Sequence, residues 1–333
     1  MGKIEVWDPV TAELERTVTI PEGAGRGRVW APSPNGRWLL WGGQNAGLHV
    51  VAFDGSHLMK LELPDDAAAY LGAEPPGLAS FGAVHHPDGS YEDLSRRYPA
   101  YQTACSVALS PDGTAAVAAH GQAFALVWDL RTGRLRQLLG EERSGQPVRI
   151  YRVAWSPDGK TILTRDDARR IRLWDTASGR ELLSLITAEN PHEEALDRPA
   201  DMPSEITSCG GLGAIAFTPD ARYVVAGDGE VIRVWEISSG REVARWIGHA
   251  ALHPIFGAYP GVPRVLDIRF AADGRRALTV GVDATLRVWD VRSGEEVWHA
   301  TPDPCCVDWG DISPDGRSVV WAGCPGMRLY AVT

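Results

Sequence analysis

Four groups of residues in this chain of 333 have types and spacings that could do chemistry. His85-His86, with Asp88 just behind, is a fragment of a metal site, since imidazole and carboxylate both bind zinc. Adjacent side chains of a strand point to opposite faces, however, and no third ligand stands at a telling spacing. Cys305-Cys306 meets the same obstacle as a nucleophile, because a reactive thiolate needs a positioned base and none is identifiable. Asp65-Asp66 and Glu193-Glu194 could pair as acid and base, although charges in loops usually face solvent. Gly42-Gly43 and Gly210-Gly211 belong to no GxxxxGK or GxGxxG pattern, so they read as turn glycines and not as phosphate cradles. The expectation is a chain with no metal and no cofactor, more a binder than an enzyme.

The elements that would position any site come from a repeat. Six segments share one order: an apolar run, a Pro-Asp-Gly-like turn, a second apolar run, then an amphipathic strand ending in Trp-Asp or a near match. Val153 to Asp175 is the clearest copy; the other turns are SPNG at 33–36, SPDG at 110–113, TPDA at 218–221, AADG at 271–274 and SPDG at 313–316. In the unit 149–186, Val153 and Trp155 alternate with polar neighbours and Pro157-Asp158-Gly159 turns the chain. Thr161 to Thr164 returns, Ile171 to Trp174 forms a third strand and Glu181 to Ile186 a fourth. Period-two alternation belongs to half-buried strands, and Asp-Gly supplies the tight turns between antiparallel neighbours. A four-stranded sheet of this kind cannot bury both faces alone, but stacked copies bury each other.

Composition narrows the partners. The formal charge of −10 argues against a generic phosphate-backbone binder, which needs a basic face. No apolar stretch approaches the length that spans a membrane, and MGKIEVWDP runs straight into a strand pattern without a signal-peptide core. The five cysteines, odd in number and without CxxC spacing, suggest free thiols and a reducing, cytoplasmic setting.

These repeats resemble the WD40 repeat family over nearly the whole chain. The copies are 104–139, 149–186, 212–247 and 264–299, with a degenerate one at 27–63 where Phe53-Asp54 stands in for Trp-Asp. The resemblance implies an all-β, WD40-type β-propeller forming a single domain over 1–333. The last unit, 305–333, supplies three strands, and in that family the fourth comes from the N-terminus, here Leu14 to Ile20, closing the ring. Strand-turn-strand openings number six, while third-strand positions number seven: Trp7, Phe53, Trp128, Trp174, Trp235, Trp289 and Tyr330. Six blades is the reading taken; seven would require a broken blade within 64–103, using Ala79 to Val84 and the turn His86 to Gly89.

The resemblance also implies residue roles. Its structural hydrogen-bond network maps onto His249, Thr279, Asp283 and Trp289, which look like a catalytic triad but read as frame. In the preceding units the set is incomplete: Thr164 and Trp174 lack the Asp at Ala168, with Asp167 just before it, and Asp228 and Trp235 lack a His. Insertions at 64–103, 187–211 and 248–263 all fall between a fourth strand and the next first strand, which places them on one face in such propellers. Arg28, Tyr101, Arg149, Tyr151 and Arg264, near first-strand entrances, are the candidate partner-binding residues. A basic mouth on an acidic body favours a protein or peptide partner with an acidic segment, with no nucleic acid and no membrane. The expected function is a protein-interaction or scaffold module. The alternatives are an enzyme or small-ligand propeller walled by the insertions, and the sensor part of a larger bacterial signalling protein.

Overall fold

The computed structural model describes residues 2–7, 13–20, 27–33, 36–43, 47–54, 58–61, 83–85, 91–93, 104–119, 124–140, 150–166, 168–186, 213–249, 265–301, 309–323 and 326–332. Among the described residues there are strands and turns and no helix. The chain divides into two compact units, Met1–Trp155 and Ser156–Thr333.

In the first unit, β1 (Gly2–Trp7) pairs with β2 (Leu14–Ile20). A four-stranded antiparallel sheet follows in chain order: β3 (Gly27–Pro32), β4 (Trp38–Gly43), β5 (Gly47–Ala52) and β6 (Leu58–Leu61). A short hairpin, β7 (Ala83–His85) with β8 (Tyr91–Asp93), precedes the next sheet. That sheet holds β9 (Ser106–Leu109), β10 (Ala115–Ala119), β11 (Phe124–Asp129) and β12 (Arg134–Gly140). Leu40, Leu48, Val50 and Leu61 pack with Leu109, Ala116, Ala118, Leu126 and Trp128 into one core between these two sheets.

The division between units falls in the turn that joins β13 (Ile150–Trp155) to β14 (Thr161–Asp166), in a sheet completed by β15 (Arg170–Asp175) and β16 (Glu181–Ile186). The second unit adds a sheet of β17 (Ile215–Phe217), β18 (Tyr223–Asp228), β19 (Val231–Glu236) and β20 (Glu242–Ile247). Another comprises β21 (Val265–Phe270), β22 (Arg276–Gly281), β23 (Leu286–Asp290) and β24 (Glu296–Ala300). The last has three strands, β25 (Trp309–Ile312), β26 (Ser318–Gly323) and β27 (Gly326–Ala331). Its core joins Leu278, Val280, Leu286 and Val288 to Ile312, Val319 and Trp321. The described sheets thus have the six-bladed arrangement of a WD40-type β-propeller: five of four strands and one of three.

The turns explain why the pattern recurs. In the first hairpin of each of four sheets a hydroxyl bonds a carboxylate two residues on: Ser110 to Asp112 at 2.6 Å, Ser156 to Asp158 at 2.7 Å, Thr218 to Asp220 at 2.6 Å and Ser313 to Asp315 at 2.6 Å. The same serine oxygen accepts the amide that opens the next strand, as Ser156 does from Thr161 at 2.9 Å. This satisfies backbone donors that the reversal would otherwise orphan. The hydroxyl of Ser110 and the Thr114 amide hold the Asp112 carboxyl below its ordinary range. Gly113, Gly159, Gly274 and Gly316 close these turns at φ 69–74°, where a Cβ is disfavoured. Ala221 takes the same place at φ 55°.

Three expectations change in detail. The interval 64–103 yields, among its described residues, a two-stranded hairpin from Ala83 to Asp93, with His85 opposite Tyr91, and not a blade. Leu14–Ile20 forms a two-stranded sheet with Gly2–Trp7, in register from Gly2↔Ile20 to Trp7↔Leu14. Phe53-Asp54 does not replace Trp-Asp. The register puts Val51 opposite Leu39, as Trp235 is opposite Val224, and Phe53 follows the strand, its amide on Arg37 O at 2.9 Å.

Candidate functional site

The His249 set is assembled as the resemblance implied. His249, in the segment after β20, is fully buried; its Nδ1 lies 2.9 Å from Asp283 Oδ1 and its Nε2 2.8 Å from Thr279 Oγ1. Trp289 Nε1 donates to the same Thr279 oxygen at 2.8 Å, and Thr285 Oγ1 donates to Asp283 Oδ1 at 2.6 Å. A coherent chain of donors runs from the Trp289 indole through the Thr279 hydroxyl to Nε2, with Nδ1–H donating to the carboxylate. Gly281 is required here, since a Cβ at that position would overlap His249 Nδ1. Burial pushes the Asp283 carboxyl up, but the hydrogen bonds from His249 and Thr285 outweigh it and hold the group at about 2. The arrangement looks like a charge relay, yet His249 is 0 % exposed and Thr279 1 %, so no substrate atom can reach it. It joins the second-strand Thr to the third-strand Trp and fixes the blade.

The two preceding sheets solve the same problem with arginine. In the sheet of β13 to β16, Trp174 Nε1 donates to Thr164 Oγ1 at 2.9 Å, as in the His249 set. A carboxylate is supplied there by Asp166, which accepts the Arg170 amide at 2.9 Å and Arg170 Nε at 3.0 Å; Asp167 lies outside the described residues. The two hairpins are of equal length, Thr164 facing Arg172 as Thr279 faces Arg287, so Asp166 stands where Gly281 does and Ala168 where Asp283 does; the carboxylate comes from the end of β14 instead of from the turn. In the next sheet Asp228 has no histidine. Arg165, 2 % exposed, reaches across from β14, donating from Nη1 to Gly227 O at 2.6 Å and from Nη2 to Asp228 Oδ1 at 3.5 Å. Gly213 leaves the room: a Cβ there would meet Gly227 O and Arg165 Nη1.

A second regularity was missed at the level of sequence. Arg172, Arg233 and Arg287 each stand two residues before the third-strand Trp and bridge two carboxylates. Arg172 links Asp166 and Glu181, both at 3.8 Å. Arg233 links Asp228 at 3.7 Å and Glu242 at 2.9 Å, and Arg287 links Asp283 at 3.3 Å and Glu296 at 2.9 Å. The signal was present as a recurring Arg-x-Trp with Glu nine residues after the Arg.

The candidate partner residues are placed unevenly. Tyr151 lies in β13 and is 6 % exposed, so its ring belongs to the core and not to a contact surface, which corrects that expectation. Arg28 lies in β3; Tyr101, Arg149 and Arg264 fall outside the described residues, as do most of 64–103, all of 187–211 and 250–263. Cys105, 5 % exposed, is disulfide-bonded to a partner outside the described residues. The expectation of free thiols is therefore corrected, and the cysteine count no longer argues for a reducing compartment. No group of three His, Cys, Asp or Glu among the described residues could hold a metal ion, and no helix is long and apolar enough to cross a membrane.

Comparison with known proteins agrees with this geometry. The family model described as WD domain, G-beta repeat matches residues 137–175 and 257–290, which include the Trp174 and Trp289 strands. The nuclear distribution protein nudF of Aspergillus niger is 24 % identical over 202 residues, covering 59 % of this chain and 42 % of that protein. The WD repeat-containing protein WDS homolog of Arabidopsis thaliana is 25 % identical over 229 residues, or 67 % of this chain and 37 % of its own length. Protein groucho of Drosophila melanogaster is 26 % identical over 199 residues, 59 % of this chain and 23 % of that protein. The chain spans less than half the length of each of these relatives. With its repeated Trp–Thr bonds, its Ser-Asp turns and the sheets they hold, the chain carries repeats of the WD40 type, matched directly at 137–175 and 257–290.

Proposed function

We propose that this chain is a protein-interaction module that binds a partner protein or peptide through the face bearing its inserted loops. WD40 propellers typically serve as interaction scaffolds, which supports the class of function without naming a partner. The observation that carries the reading is the burial of the His249–Asp283–Thr279 set. The one constellation with triad-like geometry among the described residues is sealed into the frame, so it contributes rigidity to a surface and not turnover. Arg28, Tyr101, Arg149 and Arg264, with the loop 187–211, are the proposed contacts, and an acidic partner segment suits the arginines.

The test is affinity capture with the intact chain and with 187–211 replaced by a short Gly-Ser linker, each followed by identification of the bound protein. Loss of one defined partner on replacement, with an unchanged melting temperature, is the expected result. Turnover of a small molecule by a chain that captures no partner in either form would overturn the reading.

A further inference from the structure

His49 is a buried imidazole on β5, 8 % exposed, whose Nδ1 is sealed from solvent without a hydrogen-bond partner among the described residues. Each ring nitrogen of a histidine is a donor or an acceptor, and a buried polar atom left unpaired carries a desolvation penalty that nothing returns. Buried polar groups are so regularly paired that each exception calls for a physical reason.

Register shows what this position does in the sister sheets. His49 stands opposite Trp41 on β4, as Arg172 stands opposite Thr164, Arg233 opposite Ala226 and Arg287 opposite Thr279. Each of those arginines spans two carboxylates. In the β3–β6 sheet the row runs Trp30, Trp41, His49, Lys60, with indoles on one side of the imidazole and an ammonium on the other. Lys60 is the charged group that faces His49 from β6, while β4 and β3 bring only tryptophan to the row. The β9–β12 sheet packs on the opposite face, through Leu48 and Val50 that flank His49 in sequence, and brings no charge to this one. Among the described residues His49 forms no ion pair with a carboxylate.

We infer that His49 is a proton-operated latch of the β3–β6 sheet: neutral, it stays in the row between Trp41 and Lys60; protonated, it has no carboxylate to receive it and leaves, opening β5 and β6. Burial, with the Lys60 charge added to it, holds the imidazole below its ordinary value of 6.5. The opened sheet therefore binds the proton more readily than the closed one, so stability is complete above that value and is lost as pH falls below it. In the sister sheets the cation is permanent and clamped between acids, so they lack this device.

Hydrogen exchange of the intact chain, followed by mass spectrometry at pH 7.5, 6.5 and 5.5, tests the latch. Rates are expressed as protection factors, which removes the intrinsic pH dependence of exchange. Peptides from 38–61 should lose protection by about three- to tenfold at pH 5.5, the upper limit being set by an opened histidine of ordinary pKa. Peptides from 161–175, which carry the clamped Arg172, should keep theirs and serve as the internal reference. His49→Gln, which takes up no proton in this range, should make the protection of 38–61 independent of pH. Lys60→Glu sets a carboxylate opposite the imidazole and should abolish the loss or reverse it; Lys60 is exposed, so this variant decides the matter even if His49→Gln does not fold. Protection of 38–61 that stays constant to pH 5.5 overturns the latch. So does a loss of equal size in both segments, or one that persists in either variant.

Discussion

Replacing Asp283 by Asn tests the buried network where its physics is sharpest. The carboxyl, with 1 % of its side chain exposed, titrates at about 2 when folded against 3.8 for a free group. A group whose folded value is depressed contributes stability that is complete above the unfolded value and is lost as pH falls through the folded one. The difference corresponds to about 2 kcal/mol at neutral pH, with about half of it gone by pH 3. The amide of Asp283→Asn would keep the shape and one acceptor but carry no proton linkage in this range. Urea unfolding of both proteins, followed by tryptophan fluorescence from pH 7 down to the lowest pH at which they fold, gives their stability difference. That difference should be constant from pH 7 to pH 5 and shrink by about 1 kcal/mol by pH 3. The turn aspartates titrate in both proteins, so their contribution cancels. A difference that stays flat through this window would refute an ionised Asp283 held by His249.

Three further outcomes follow from the same geometry. Arg165→Met should cost about 1–3 kcal/mol, because the buried carbonyl of Gly227 loses its donor while Asp228 keeps Arg169 and Arg233; denaturant unfolding measures it, and no measurable cost would count against the bridge. Ala221→Gly should stabilise by about 0.5–1 kcal/mol, since φ 55° strains alanine and the five sister turns, with Gly36, Gly113, Gly159, Gly274 and Gly316, already use glycine; an unchanged or lowered melting temperature contradicts the strain. Gly281→Ala should destabilise by about 3 kcal/mol or more, because the new methyl displaces the His249 ring. Adding His249→Ala should then cost far less than it does in the wild type, and fully additive effects would show that the two do not share that space.

Much of the fold was legible because the turn chemistry is local. A Ser or Thr, an Asp two residues on and a Gly after it specify a reversal through bonds that close within six residues, as from Ser156 to Thr161. Strand order followed from that regularity. The Phe53-Asp54 assignment failed because a motif match ignores register; pairing of Val51 with Leu39 is decided by the length of the preceding hairpin. Tyr151 has a residue type that suits a recognition rim, whereas its burial depends on what packs over it. Asp166 escapes the motif because the motif looks for the carboxylate in the turn, at the position of Ala168, whereas here it sits at the strand end, at the position Gly281 holds in the later sheet.

Sequence alone determined the class of structure, the family and the identity of the His249, Thr279, Asp283 and Trp289 set, since each is written in residue order and short-range periodicity. Only the tertiary structure decided what those residues do. Bringing His249 to Asp283, 34 positions away, with no exposure to solvent turns an apparent acid–base relay into a structural tie. The crossing of Arg165 to Gly227 and Asp228, 62 and 63 positions on, has no local signal. It exists because the absence of a side chain at Gly213 leaves room for the guanidinium, and such complementarity between distant segments is set by packing and not by pattern.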